Sequence, residues 1–395
     1  ISACLVGSEM CIRDSIMTIP KLIAFYFPQF HAIPENDVWW GAGFHDWQLV
    51  QNAKPLFNGH YQPRIPIDGN YYNPCDKETL AKQARLASEY GVGGFSFFHY
   101  WFDGKLMLEK PLETFLEHKQ IDIPFCLTWA NETWTRAWIG HPEAVLIQQN
   151  HTDNVDLWRR HFDYLLPFFK DERAIRIDNK PLLLIYQPFI IANTQEMFGY
   201  WRKWAEESGL PGLYLMAVKG HQYPSCDFLK SYDGLLKTQP REAFGSKHFK
   251  HQNLTDRFYW LRKLPESIQN YLRKINQSIR SYQIIDANEL WEVILKNAYC
   301  PEFKESVDIY ETAFFDWDNT ARYKNKAKIY RGLSFDSMEN NLTELMKKAR
   351  EHDSPYVFFN AWNEWSEGAY LEPDLRNGYR YLEIVKRVNQ NLSAL

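Results

Sequence analysis

The sequence predicts an α/β chain folded as a (β/α)8 TIM barrel, a single domain with a long helical insert between strands six and seven. Three observations carry that expectation. Apolar runs of strand length recur eight times with helical stretches between them, the alternation that builds a closed parallel barrel. The runs are continuously apolar rather than alternating, as strands buried on both faces require. Polar and aromatic residues gather just after six of the eight runs, where a barrel presents its working face.

The elements follow in order. The first strand, 22–27, leads into Pro28-Gln29-Phe30-His31, then Trp39-Trp40 and Asp46-Trp47. A helix over 77–90, stopped by Gly91, brings the chain to the second strand at 93–100 and the cluster His99-Tyr100-Trp101. The third strand, 124–130, runs into Trp129-Ala130-Asn131-Glu132-Thr133-Trp134. A helix at 152–169 precedes the fourth strand, 181–186, which ends at Tyr186-Gln187-Pro188. After a helix at 195–208 stopped by Gly209 come strands at 213–218 and 232–236, and neither carries such a cluster. The seventh strand, 312–317, ends in Asp316-Trp317-Asp318-Asn319, and a helix at 338–352 leads to the eighth strand at 356–362.

The insert spans about 239–308. Between 239 and 285 it carries nine Lys/Arg against three Asp/Glu, and Ile268, Tyr271, Leu272, Ile275, Ile279 and Tyr282 fall at helical spacing. Such a stripe with basic flanks suits an anionic membrane surface or a helix packed on the barrel with a solvated basic face. Both readings stay open.

Composition narrows the function classes. Fifteen Trp, 23 Tyr and 26 Phe, many beside Asn, Asp, Glu and His, suit sugar contact or a large aromatic core. A net charge of −4 gives no reason to expect a nucleic-acid partner. Six cysteines show neither metal-ligand nor disulfide spacing, so no metal and no cofactor are expected. Residues 1–16 read as a non-native leader ahead of Met17, leaving 17–395 as the catalytic barrel. With no secretory signal and no membrane-spanning run, the expected location is cytoplasmic, or peripheral at the inner membrane if the insert attaches there.

The densest chemistry lies after the eighth strand, in Asn360-Ala361-Trp362-Asn363-Glu364-Trp365-Ser366-Glu367-Gly368. Glycosidic-bond chemistry needs two carboxyl groups, one for the leaving-group proton and one across the anomeric carbon. Glu364 and Glu367 are the candidate catalytic pair, although such a motif reads equally as buried, hydrogen-bonded carboxylates. Candidate sugar contacts at the strand ends are Tyr26, His31, Trp40, Asp46, His99, Trp101, Trp129, Asn131, Glu132, Trp134, Tyr186, Asp316, Trp317, Asn363, Trp365 and Tyr370.

The motifs Tyr26-Phe27-Pro28-Gln29-Phe30-His31, Trp39-Trp40-Gly41, Gly59-His60-Tyr61-Gln62-Pro63-Arg64, His99-Tyr100-Trp101-Phe102, Trp129-Ala130-Asn131-Glu132 and Trp362-Asn363-Glu364-Trp365-Ser366-Glu367-Gly368 together resemble the WbsX-type, glycoside hydrolase family 99-like proteins. The likeness runs from about Lys21 to near the end of the chain. Members are commonly named glycosyltransferases of surface-polysaccharide assembly, whereas the related family 99 enzymes are retaining endo-α-mannosidases on a (β/α)8 fold. The resemblance implies that Glu364 assists the substrate's 2-hydroxyl and Glu367 is the general acid/base, through an epoxide-like intermediate. Glu367 is then expected to hold its proton more tightly than Glu364. This chain has Ser366 where the mannosidases carry His, so the mannosidase substrate is not carried over. The expected partner is an oligosaccharide or polysaccharide, with a lipid-linked glycan at a membrane as an option. A glycosyltransferase building O-antigen or other surface polysaccharide and a non-catalytic carbohydrate-binding barrel stand as the alternatives.

Overall fold

In the computed structural model the eight strands close on themselves. The structure describes residues 19–137, 141–220, 227–246, 249, 264–265, 267–268, 282–300 and 307–394. The leader and Tyr271, Leu272, Ile275 and Ile279 of the insert stripe lie outside the described residues.

The barrel strands are β1 (Lys21–Tyr26), β2 (Val92–Phe102), β3 (Phe125–Trp129), β4 (Lys180–Ile185), β5 (Tyr214–Lys219), β6 (Gly234–Lys237), β7 (Asp308–Ala313) and β8 (Tyr356–Phe359). Each pairs in parallel with the next. Pairing of Ile23 with Phe358 joins β8 back to β1. Strand alternation then sorts the apolar side chains into two layers. Ile23, Phe25, Phe98, Leu184, Met216, Leu236 and Phe358 fill the interior. Leu22, Ala24, Tyr26, Phe97, Trp101, Leu127 and Trp129 pack outward beneath the helices.

The helices are α1 (Pro34–Trp40), α2 (Asp46–Asn52), α3 (Lys77–Glu89), α4 (Lys110–Glu117), α5 (Val155–Phe169), α6 (Thr194–Glu207), α7 (Arg241–Gly245), α8 (Ala287–Asn297), α9 (Thr320–Tyr323), α10 (Phe335–Glu351) and α11 (Arg380–Ser393). Their starts follow side-chain capping. Asp76 caps α3 by accepting from the Thr79 backbone, Asn154 caps α5, and Ser334 with Ser337 closes a capping box at α10.

The seventh strand corrects the sequence expectation, since pairing covers 308–313 and the chain leaves the barrel before Trp317. The apolar run continues because Phe315 packs in the outer layer, edge-on to Phe359 at 4.8 Å and against Tyr381 at 5.7 Å. Packing outside the sheet looks like strand in one dimension. Trp317–Asp318 instead pairs with Lys328–Arg331, which pairs in parallel with Gln283–Asp286 within the insert. The eighth strand likewise ends at Phe359, and 360–362 cross the barrel mouth as loop. A hairpin of Trp134–Arg136 and His141–Ile147 stands beyond β3, with no counterpart in the sequence reading.

Close approach dictates one residue at the base of β2. A Cβ on Gly94 would lie 2.8 Å from the Pro124 carbonyl oxygen and 3.0 Å from Ile175 Cδ1. Gly94→Ala is expected to lower the unfolding free energy by about 1–3 kcal/mol, read by urea titration, and an unchanged midpoint would contradict this packing.

Candidate active site

Two Asn-Glu pairs set up the mouth of the barrel. After β3, the Asn131 amide accepts from the Gln187 backbone N–H at 2.7 Å and donates to the Gln187 carbonyl at 2.9 Å. After β8, the Asn363 amide accepts from the Phe27 N–H at 2.8 Å and donates to the Phe27 carbonyl at 3.0 Å. Each asparagine side chain thus extends the pairing to the neighbouring strand end with the bonds a backbone would make. The residue that follows is placed at the mouth: Glu132 in one case, Glu364 in the other.

Glu364 and Glu367 share one cation. Arg322, on α9, lies 3.3 Å from Glu364 Oε1 and donates to Glu367 Oε1 at 3.0 Å, to Asp46 Oδ2 at 2.7 Å and to Gln29 Oε1 at 3.1 Å. Asp46 also accepts from Ser366 Oγ at 2.6 Å, so Ser366 ties the loop after β8 to α2. A second guanidinium, Arg241, donates to the Tyr186 hydroxyl at 2.5 Å and sits 6.0 Å from the Trp317 ring. Gly368 closes the motif at φ 63°, where an added Cβ would come within 2.9 Å of the Asp318 backbone nitrogen.

Burial governs the electrostatics. It pushes the Glu364 carboxyl up to about 8; Arg322 and Arg241 oppose the shift while Glu367 and Asp46 add to it. Burial also raises Glu132, opposed by Arg241, and lifts Tyr186 to about 12.

Glu367, Asp46, Gln29, Glu132 and Arg322 line a cavity of about 330 Å³ with Trp39, Trp40, Phe44, Trp134 and Tyr323. The Trp40 ring carries Arg136 at 4.7 Å, and Trp134 stands edge-on to Tyr100 at 5.0 Å. Among the described residues no group of three or more His, Cys, Asp or Glu is arranged to hold a metal ion.

The remaining candidates from the sequence lie elsewhere. Tyr26, His99, Trp101 and Trp129 face the helices: Tyr26 donates to Gln83 on α3 at 2.8 Å, His99 meets His161 on α5 at 2.9 Å, and Trp101 stacks on His161 at 4.7 Å. The alternation that turns Tyr100 inward turns its neighbours outward. Trp365, Tyr370, Asp316 and Trp317 form a supporting layer. Trp365 stacks on Tyr370 at 3.8 Å and donates to Glu372 at 2.7 Å, while Asp316 accepts from Arg64 at 2.7 Å. His31 lines a different cavity. Sequence reading missed Arg322 and Arg241 as site residues. The available signal was charge balance, because five carboxyls expected at one barrel mouth require cations nearby.

Comparison with known proteins places this geometry in context. The profile of the family described as Glycosyltransferase WbsX matches residues 22–385. The chain is 34% identical over 375 residues to the protein WxcX of Xanthomonas campestris pv. campestris, covering 94% of this chain and 50% of that protein. It therefore spans about half the length of that relative. Among solved structures it resembles a glycoside hydrolase-like protein at TM-score 0.56 with 13% identity, covering 93% of each chain. It also resembles the GH99 endo-alpha-mannosidase from Bacteroides thetaiotaomicron at TM-score 0.51 with 13% identity, covering 94% of this chain and 97% of that one. At that identity the likeness is one of fold.

Two outcomes follow from the charge cluster. Arg322→Gln is expected to cost about 3–5 kcal/mol of unfolding free energy at pH 9, and less at pH 5 where the stranded carboxyls take up protons. Urea titration at both pH values reads this, and an equal loss at both would show that Arg322 is not their counter-charge. Burial raises Glu372 to about 7, as it raises Glu364 to about 8. Both folded values lie above the unfolded ones, so the stability these groups contribute is present in acid and is lost as pH rises through that window. The melting temperature is expected to be lower at pH 9 than at pH 6.

Proposed function

The chain belongs to the WbsX glycosyltransferase family, and from that premise we propose that it cleaves or transfers glycosidic bonds in an oligosaccharide or polysaccharide, using Glu364 and Glu367 as the reacting pair. The observation that carries this reading is the arrangement of the two carboxyls. They are three residues apart, nearly buried, and joined through one guanidinium beside a cavity walled by Trp40 and Trp134. Flat rings beside polar anchors suit sugar faces.

The route is retaining and substrate-assisted. Glu364 takes the proton of the 2-hydroxyl as that oxygen bonds to the anomeric carbon, and Glu367 gives a proton to the departing oxygen as its bond breaks. Glu367 then takes a proton from water or an acceptor hydroxyl, whose oxygen opens the epoxide-like intermediate, and the 2-oxygen recovers its proton from Glu364. Arg322 keeps both carboxyls in one place and offsets their charge. Glu132 supplies a polar contact in the cavity, and the Arg241 charge acts on both Glu132 and Glu367.

A second reading, transfer onto a growing surface polysaccharide, is favoured by the family's own description as a glycosyltransferase. Its acceptor would be a lipid-linked glycan held near a membrane by the basic insert, with the enzyme on the cytoplasmic side. No helix among the described residues is long and apolar enough to cross a membrane.

Glu364→Gln and Glu367→Gln are each expected to lower turnover by about 10² to 10⁴, measured on α-linked glycans and aryl glycosides with sugar nucleotides in parallel. Good leaving groups should restore the Glu367 variant in part and the Glu364 variant not at all. Parent-level turnover in either would overturn the assignment, and no turnover by the parent itself would select the binding-only barrel. Strict dependence on a sugar nucleotide selects the transferase reading. Glu364 must be ionised to act as base and holds its proton up to about pH 8 in the free enzyme, so kcat/KM is expected to rise with pH through that region. A falling limb there would exchange the two roles.

A further inference from the structure

A second cavity lies beside the one that Glu367 lines. About 520 Å³ in volume, it is lined by Phe30, His31, His45, Trp47, Tyr71 and Asn73, among others. Two features connect it to the catalytic cavity. Asp46 and Trp47 are consecutive on α2, and they line the catalytic and the second cavity respectively. Leu108 lines both cavities, is 4% exposed, and holds φ 54°, a left-handed conformation that costs a leucine free energy. A buried leucine kept in that conformation between two cavities marks a partition whose shape is imposed by its surroundings.

The second cavity also contains polar groups without partners. His31 Nδ1 meets the Pro28 carbonyl at 2.8 Å, but its Nε2 is buried and has no hydrogen-bond partner, and the same holds for His45 Nδ1. Leaving buried polar atoms unpaired is costly unless a ligand or water pairs with them. The aromatic wall is organised, with Phe30 4.3 Å from Trp47 and Tyr71 edge-on to Trp47 at 5.2 Å.

We propose that this second cavity is an accessory subsite for a neutral, hydroxyl-rich stretch of the same glycan, reached over Leu108 from the catalytic cavity. The proposal rests on the carbohydrate reading above and adds that the substrate extends well past the bond that reacts. Aromatic rings together with the imidazoles and the Asn73 amide in one lining match the apolar face and hydroxyl edge of a sugar. Burial lowers the proton affinity of both histidines, so they meet the ligand uncharged, which favours a polyol over a phosphate.

The test uses the full chain with Glu364→Gln and Glu367→Gln together, so that binding proceeds without turnover. The probes are disaccharide and octasaccharide fragments of an α-linked polysaccharide, titrated by calorimetry. The octasaccharide is expected to bind more tightly than the disaccharide. Adding Tyr71→Ala is expected to cut that length advantage about tenfold, while Tyr71→Phe preserves most of it and controls for folding. A length advantage that survives Tyr71→Ala, or equal weakening of both fragments, overturns the subsite. If Trp40→Ala weakens both fragments while Tyr71→Ala changes neither, the subsite falls and the reading of the catalytic cavity stands. Failure of every fragment to bind any variant sinks that reading and the subsite with it.

Discussion

Everything at the mouth of this barrel depends on one buried guanidinium. Asp46 comes from α2, Glu364 and Glu367 from the loop after β8, and Gln29 from the end of β1, yet all four meet Arg322. Three carboxylates at such a place would repel one another and lose their hydration; a planar, permanently charged fork compensates both effects at once. Lysine offers a point charge and would not span the same acceptors. Arg322 also explains how the site keeps a carboxyl as proton-retentive as Glu364 without expelling the loop that carries it.

Around this cation the protein uses side chains where backbone would not reach. The amides of Asn131 and Asn363 continue the barrel's hydrogen bonding past the strand ends, and so fix the positions of Glu132 and Glu364 at the mouth. Behind them Glu372 accepts from Tyr72, Gln83 and the Trp365 indole. These bonds fasten the loop after β8 to the end of the first strand and to α3, and so fix the carboxyls it carries.

The architecture was legible from the sequence because strand length, continuous apolarity and intervening helices leave few other folds. That Glu364 and Glu367 lie close together was legible because they stand three residues apart just after an apolar run, and both meet Arg322. Side-chain direction was not, since a two-residue period sends Tyr26, His99, Trp101 and Trp129 to the helices while Tyr100 turns inward, and a cluster of polar aromatics conceals that parity. Phe315 extended the apparent seventh strand for a similar reason: burial in the outer layer and burial in the sheet read alike. Arg322 left no motif, because one arginine on a four-residue helix has no pattern of its own. Its role exists only once α2, β1 and the loop after β8 are brought together.

The small sheet beside the barrel gives this arrangement a reach beyond the mouth. Gln283–Asp286, within the insert, is laddered to Lys328–Arg331, and that strand to Trp317–Asp318, which lies one residue before the helix carrying Arg322. The insert is therefore moored to the charge cluster through two backbone ladders. A displacement of Gln283–Asp286 is passed along these ladders to the segment that leads into Arg322, so the insert does not move independently of the barrel mouth as an ordinary surface loop would.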